Sequence, residues 1–285
     1  MNLPKISIIT PSFNQAHFLE RTMLSVLSQN YPNLEYIIID GGSTDGSVEI
    51  IKKYEDRLAH WVSEKDRGQS HALNKGFARA TGDIIGWLNS DDLYCNDALM
   101  RVAKACLACP EDEAWYGGIY IADSEDRILN ALWPLDPDPA YTVLVGLDIH
   151  QQALFWRREL MQRVGMTDES LHFAMDWDFI IRLLLAGRFK RIRHQLGIFR
   201  LHDEAKTTNQ SEVGEKDKQL LFERYAHHFQ ASRWHEITRL LLRSKRLIRV
   251  ALDAPTSYLM FKLRRSLGLP AEPGWHEIKE EVRSK

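Results

Sequence analysis

Apolar and polar positions in the first hundred residues follow two alternating periods. Ile6-Ser7-Ile8-Ile9-Thr10 is a short apolar run closed by Pro11 and reads as a buried strand; Leu19, Met23, Val26 and Leu27 then recur at helical spacing until Pro32. Residues 36–39 form a second strand-like run, ending in Asp40-Gly41-Gly42-Ser43-Thr44-Asp45-Gly46. A third, around Trp61 and Val62, runs into Glu64-Lys65-Asp66-Arg67-Gly68, and Ala72, Leu73, Phe77 and Ala80 mark the helix behind it. Residues 84–88 are the fourth. Strand then helix, repeated, predicts right-handed crossovers and an α/β fold with a mostly parallel central sheet flanked by helices.

Past Pro110 the pattern changes. Residues 115–122 and 128–132 alternate like a hairpin around Asp123-Ser124-Glu125-Asp126, and Pro134, Pro137 and Pro139 mark an irregular connection. Ordered chain resumes at His150-Gln151-Gln152-Ala153-Leu154-Phe155-Trp156. Phe179, Leu183 and Leu184 share one face of a helix whose first turn carries Asp176 and Asp178, where free backbone N–H groups favour carboxylates. A strand-like run ends at Phe199-Arg200-Leu201-His202-Asp203, followed by a polar stretch, 204–215, expected to be mobile. Beyond it Ile237, Leu240, Leu241, Ile248, Ala251 and Leu252 form a helical stripe with Arg239, Arg243, Arg246 and Arg249 beside it, and Lys262, Arg264 and Arg265 follow. The division expected is a catalytic domain over 1–205 and a helical C-terminal extension over 206–285. The extension's basic amphipathic character suits either an anionic membrane surface, met through the Arg239 to Arg249 face, or docking on the core with a solvated basic side.

In open parallel sheets ligands collect beyond the carboxyl ends of the strands. Pro11 to Asn14, Asp40, Asp66 with Arg67, and Asp91 with Asp92 all fall at such ends, so convergent polar loops point to one site at that edge. Asp40 and Asp66 also suit helix caps. The run Ile84-Ile85-Gly86-Trp87-Leu88-Asn89-Ser90-Asp91-Asp92 stops at two adjacent carboxylates that a core cannot hold unpaired. If the strand ends at Asn89 both can reach one polyvalent species, and oxygen ligands favour Mg²⁺ or Mn²⁺. A surface turn before a helix capped by Asn96 or Asp97 accounts for the same residues.

Composition narrows the setting. At 285 residues, 44% hydrophobic and 27% charged, the chain is of globular type, and its net charge of -2 gives no global attraction to nucleic acid or anionic lipid. Three cysteines, Cys95, Cys106 and Cys109, make no disulfide framework and fit a reducing compartment. No run approaches the ~18 apolar residues of a membrane span, and the first residues lack the pattern of a signal peptide. The expectation is a cytoplasmic protein, peripheral at most on the cytoplasmic face of the membrane, with no nucleic-acid partner.

The ordered set Thr10-Pro11-Ser12-Phe13-Asn14, Ile39-Asp40-Gly41-Gly42-Ser43-Thr44-Asp45-Gly46, Ser63-Glu64-Lys65-Asp66-Arg67-Gly68, Asn74-Lys75-Gly76 and Asn89-Ser90-Asp91-Asp92 resembles family 2 glycosyltransferases with the Rossmann-like GT-A fold, from about residue 5 to residue 205. The resemblance implies that Pro11, Ser12, Asn14 and Asp40 hold the nucleotide, that Asp66, Arg67 and Asn74 continue that pocket, and that Asp91 and Asp92, as the family's DxD-type motif, take the ribose and the metal. It also implies that Asp176, in Phe173-Ala174-Met175-Asp176-Trp177-Asp178, is the catalytic base, and that His202 closes over the diphosphate and adds a metal ligand. Asn89 stands where many relatives have Asp, which leaves open which of Asp91 and Asp92 binds the cation. Met175 stands where many have Glu, which leaves Asp178 beside Asp176 as a base.

The implied activity is metal-dependent inverting transfer of a sugar from a nucleotide-diphosphate sugar, a UDP-sugar foremost, to a glycan or lipid-linked glycan in surface polysaccharide synthesis, with Mg²⁺ or Mn²⁺ as cofactor. His150, Gln151 and Trp177 are acceptor candidates by position. Two alternatives stand beside it: a sugar-phosphate nucleotidyltransferase, disfavoured because residues 11–14 carry no Lys or Arg for a triphosphate, and a non-catalytic nucleotide-sugar-binding module.

Overall fold

In a computed structural model, residues 2–202, 212–229, 235–254, 258–259, 262–263 and 266 are described. Every residue of β1 (Ile6–Ser12) is buried. A strand covered by helices on both faces reads as an unbroken apolar run, not an alternating one. Its alternate side chains serve the two faces: Ile9 joins Leu73, Phe77 and Phe179 in one core, while Ile6 and Ile8 join Leu19, Met23, Leu99 and Val102 in the other.

Around β1 the chain winds α1 (Ala16–Leu27), β2 (Leu34–Asp40), α2 (Ser47–Lys53), β3 (His60–Ser63), α3 (Gln69–Arg79) and β4 (Ile84–Trp87). The strands lie in the order β3-β2-β1-β4, all parallel, as the strand and helix repeat predicts. Glu35 on β2 fastens this half: Lys5 Nζ (2.6 Å), Ser7 Oγ (2.5 Å), Thr81 Oγ1 (2.6 Å) and the Thr81 N–H (2.7 Å) all donate to it. Burial alone would raise its pKa, but those donors outweigh it and hold the carboxyl at about 2.

The second half of the sheet mixes directions. After β5 (Leu93–Tyr94) and α4 (Ala98–Ala108) come β6 (Ala114–Asp123) and β7 (Ile128–Leu132), the expected antiparallel hairpin. Asp97 takes the position before α4, in left-handed backbone, without a capping bond from its side chain. The proline-rich connection holds α5 (Pro139–Leu144), then β8 (Leu154–Arg157), α6 (Arg158–Val164), α7 (Met175–Ala186) and the long β9 (Phe189–Leu201). β8 joins the halves, antiparallel to both β4 and β6. β9 runs parallel to β6 and antiparallel to β5, with Leu93 opposite Ile198. Because β5 follows Asp91 and Asp92 directly, this pairing brings the end of β9 and His202 to the loop after β4.

The boundary expected at 205/206 and the polar residues 203–211 lie outside the described residues; from residue 212 on, nearly all the described residues are helical. α8 (Glu212–Tyr225) buries Leu221 and Tyr225 in the core. α9 (His235–Asp253) departs from expectation. Its basic side faces the protein: Lys245 pairs with Asp138 (3.2 Å), Arg249 with Asp136 (3.4 Å) and Arg246 with Asp148, while Asp253 accepts from Trp133, Arg191 and Arg193. An acidic connection at 136–148 thus engages cations expected at a membrane. Lys262 donates to Asn130 Oδ1 (2.6 Å), and Arg264 and Arg265 lie outside the described residues. No described helix is long and apolar enough to cross a membrane.

Candidate active site

A cavity of about 960 Å³ opens at the carboxyl ends of the parallel strands, at the upper end of the ~300–1,000 Å³ range of small-molecule sites. Pro11, Ser12 and Asn14 reach it from the end of β1, Gly41 and Thr44 from behind β2, Lys65 and Asp66 from behind β3, and Asn89, Ser90 and Asp91 from behind β4. Gln151, the start of α7 with Asp176 and Trp177, Phe199 of β9 and Lys218 of α8 complete it. The buried Ser12 Oγ and Gln151 Oε1 lack a hydrogen-bond partner among the described residues. Buried polar atoms are rarely left so, and both line this cavity, as groups that await a ligand do.

The loop after β2 is shaped by Asp40. Its fully buried carboxylate accepts from Gly42 N (3.1 Å), Ser43 N (2.9 Å), Ser43 Oγ (2.5 Å) and Ser63 Oγ (2.6 Å). Three of these donors converge on Oδ2 and one reaches Oδ1, so the protein takes most of the carboxylate's acceptor capacity. Asp40, expected on the nucleotide, therefore lies behind the wall and holds its shape. Asn14 ties the neighbouring loop: its N–H donates to Ser43 Oγ (2.7 Å) and its Oδ1 accepts from Thr44 N (2.9 Å). Asp66 accepts from Gly68 N (2.7 Å), and a Cβ on Gly41 would come within 2.7 Å of Asp66 Oδ2, so glycine is what lets the two loops meet.

The acidic pair divides in two. Asp91 lines the cavity, with its Oδ2 3.2 Å from His202 Nε2. Asp92 is buried beneath, its oxygens accepting from Arg200 N (3.2 Å) and Gln151 Nε2 (3.3 Å). Burial first, then the Asp91 charge, push the Asp92 carboxyl well above the ordinary carboxylate range. The expectation of Asp92 as metal ligand does not fit this placement; Asp91 and His202 do fit, offering one oxygen and one nitrogen beside a cavity able to supply phosphate oxygens, a donor set suited to Mn²⁺ or Mg²⁺. Arg200, fully buried, secures the arrangement: Nη1 donates to the Asp91 carbonyl (3.0 Å) and Nε to Asp126 Oδ1 (2.8 Å), which Arg21 also pairs. Asn89, in place of an acid, accepts through Oδ1 from Gln69 Nε2 (2.7 Å) and Trp87 Nε1 (2.6 Å).

Two acids two positions apart in α7 face different ways. Asp176 lines the cavity, its Oδ1 accepting from Trp177 N (2.8 Å). Asp178 is fully buried against Arg182 Nε (2.8 Å), Arg224 Nη1 (2.8 Å) and Tyr225 OH (2.7 Å). Asp217 of α8 accepts from the Phe173 and Ala174 N–H groups (2.7 and 3.1 Å) at the start of α7, the positive end of that helix. Trp177 Nε1 donates to the Thr142 carbonyl (2.8 Å).

The other expected contacts sit elsewhere. Arg67 points to Glu169 (2.7 Å), Asn74 is bound to Thr167 and Glu169, and His150, which burial and the Arg246 charge push down to about 4, is off the cavity wall. Each has a protein partner or cover that sequence spacing does not reveal. Lys65, Gln69 and Lys218 on the lining were not singled out from sequence. Lys65 lies within a motif already quoted, whereas Lys218 belongs to a helix that only tertiary packing brings here.

The sequence matches the profile described as glycosyl transferase family 2 over residues 7–164, more than half of the chain. The chain belongs to glycosyltransferase family 2. Among relatives, this glycosyltransferase is 34% identical to an uncharacterized glycosyltransferase of Mycobacterium tuberculosis, covering 64% of this chain and 70% of that one. It is 32% identical, over the same shares, to the PGL/p-HBAD biosynthesis glycosyltransferase of Mycobacterium bovis. Solved structures share the fold: residues 1–349 of S. aureus TarS in complex with UDP-GlcNAc (TM-score 0.59, 18% identity, 88% of this chain and 74% of that one), and a mannosyltransferase from Pyrobaculum calidifontis in complex with GDP-Man and Mn²⁺ (TM-score 0.54, 19% identity, 99% and 85%). The enzyme spans 44% of the longer TarS structure (TM-score 0.58, 20% identity, 80% of this chain). The fold is GT-A, and membership sets aside the nucleotidyltransferase alternative.

Proposed function

We propose that the enzyme is an inverting glycosyltransferase, dependent on Mg²⁺ or Mn²⁺, that moves a sugar from a UDP-sugar to a hydroxyl of a glycan or lipid-linked glycan in surface polysaccharide synthesis at the cytoplasmic face of the membrane. The observation that carries it is that Asp176 and Asp91, the latter beside His202, line one cavity together with the loops after β1, β2 and β3. As the glycosidic bond to the diphosphate breaks, its electron pair leaves with the phosphate oxygen. A bound cation held by Asp91 and His202 would stabilise that charge. Lys65 and Lys218 add fixed positive charge to the lining. Asp176 accepts the proton of the acceptor hydroxyl while its oxygen bonds to the anomeric carbon, and attack from the face away from the diphosphate inverts that carbon.

Asp66, Ser12 and Asn14 form the nucleotide side of this reading. Gln151 and Trp177 remain acceptor candidates because they share the lining with Asp176, whereas His150 does not. The donor class is supported by TarS, solved with UDP-GlcNAc, and the metal by the archaeal mannosyltransferase solved with Mn²⁺. The test is a nucleotide-sugar panel read by thermal shift with Mn²⁺ present, since a ligand of the folded state raises the unfolding midpoint. A UDP-sugar should raise it, and excess chelator should remove both the shift and sugar transfer. No shift with any nucleotide-sugar, or undiminished transfer in chelator, would defeat the reading.

A further inference from the structure

α9 wears its amphipathic pattern reversed. Leu242, Arg246, Arg249 and Asp253 face the protein, while Leu240, Leu241, Leu247, Ile248 and Leu252 are 64, 65, 71, 61 and 82% exposed. At 3.6 residues per turn these five, with Ser244 and Ala251, span an arc of roughly 140°. Arg243 borders it on one side, where Glu236 also falls by helical position, and Lys245, which pairs with Asp138, borders it on the other; both cations are exposed. Leu259 and Leu263, further along, are exposed as well.

We propose that this outward face is where the enzyme seats on an anionic lipid bilayer, with Leu240, Leu247, Ile248 and Leu252 entering the headgroup boundary and Arg243 meeting lipid phosphate. An apolar arc flanked by cations is the pattern of a helix lying in a membrane interface. A second copy of the chain is the competing occupant, and the oligomeric state separates the two. The inward side adds a consequence. Its cations grip the connection at 136–148, which leads into Gly146, Leu147 and Gln151 of the cavity lining and whose Thr142 carbonyl holds Trp177. The helix that meets the lipid is thereby fastened to the part of the wall where an acceptor on a lipid carrier would arrive. This deepens the membrane-surface part of the proposed function, but the docking itself does not depend on the chemistry.

The experiment is flotation of the full chain with phosphatidylcholine vesicles, with and without phosphatidylglycerol. Wild type should float with the mixed vesicles. Leu247→Glu with Ile248→Glu should lower partitioning at least about tenfold, and Arg243→Gln several-fold on anionic vesicles alone, with unchanged unfolding midpoints and UDP binding. Wild type that stays at the bottom, or a double variant that floats as well as wild type, would overturn the proposal. So would sedimentation showing that wild type is a dimer and the double variant a monomer. UDP binding read alongside separates failure of docking from failure of the catalytic reading.

Discussion

The two parts of the cavity lining are built by different means. Behind β1 to β3 each loop is turned by bonds between residues close in sequence, Asp40 with Gly42 and Ser43, Asp45 with Ser47, Asp66 with Gly68, and neighbouring loops are tied by Asn14 to Ser43 and Thr44, Ala16 to Asp45 and Ser63 to Asp40. Around Asp176 the bonds are long-range. Trp177 reaches Thr142, Asp217 reaches back to Phe173 and Ala174, and Asp178 meets Arg224 and Tyr225. The first part is a set of turns written into short motifs; the second exists only once α5, α7 and α8 have packed. The side proposed for the nucleotide therefore rests on motif turns tied loop to loop, and the side of the proposed base depends on the core.

The largest expected effect tests the division between the two α7 acids. Asp176→Asn keeps shape and removes the proposed base, so sugar transfer should fall by roughly 10²–10⁴-fold with an unchanged unfolding midpoint. Asp178→Ala should act the other way round: it strands Arg182 and Arg224 beside a buried gap and should cost roughly 3 kcal/mol by denaturant titration. Asp45→Ala, which removes exposed bonds to Ser47 and to the Ala16 N–H, should cost only about 1 kcal/mol. Equal losses for Asp178→Ala and Asp45→Ala would erase the contrast between buried ion-pair construction and exposed loop bonds.

That contrast also explains what could be read without coordinates. The β1 to β4 repeats, the β6 and β7 hairpin and the edge where Pro11, Ser12, Asp66 and Asp91 meet were legible because apolar period and turn residues are local signals. The antiparallel β8 between β4 and β6 was not, since nothing in Leu154-Phe155-Trp156 names its neighbours. Asp40 was placed at the right loop, but its four donors, two from backbone, are invisible in a list of side chains. Asp92 and Asp91 look alike in sequence, and only the β5 and β9 pairing decides which is covered. The arginines of α9 were recognised as a basic stripe, yet their acidic partners lie about a hundred residues away at Asp136, Asp138 and Asp148.

A pH-dependent effect concerns Glu35, which braces the parallel half of the sheet. Its folded pKa of about 2 lies below the ordinary 4.5, so its contribution is present above pH 4.5 and is lost as pH falls toward 2. Glu35→Gln should flatten that part of the stability curve and leave the slope above pH 5 unchanged. An identical acid limb in the variant would show that another carboxylate governs it.

The central claim is that one cavity has a diphosphate end at Asp91 and His202 and a separate base at Asp176. Calorimetric titration of UDP with Mn²⁺ present, on Asp91→Asn and Asp176→Asn in parallel, addresses it most directly. The account predicts at least about tenfold weaker binding for the first, the loss of one charged ligand contact, and wild-type affinity for the second. Wild-type affinity in Asp91→Asn, or loss of binding in Asp176→Asn, would contradict it.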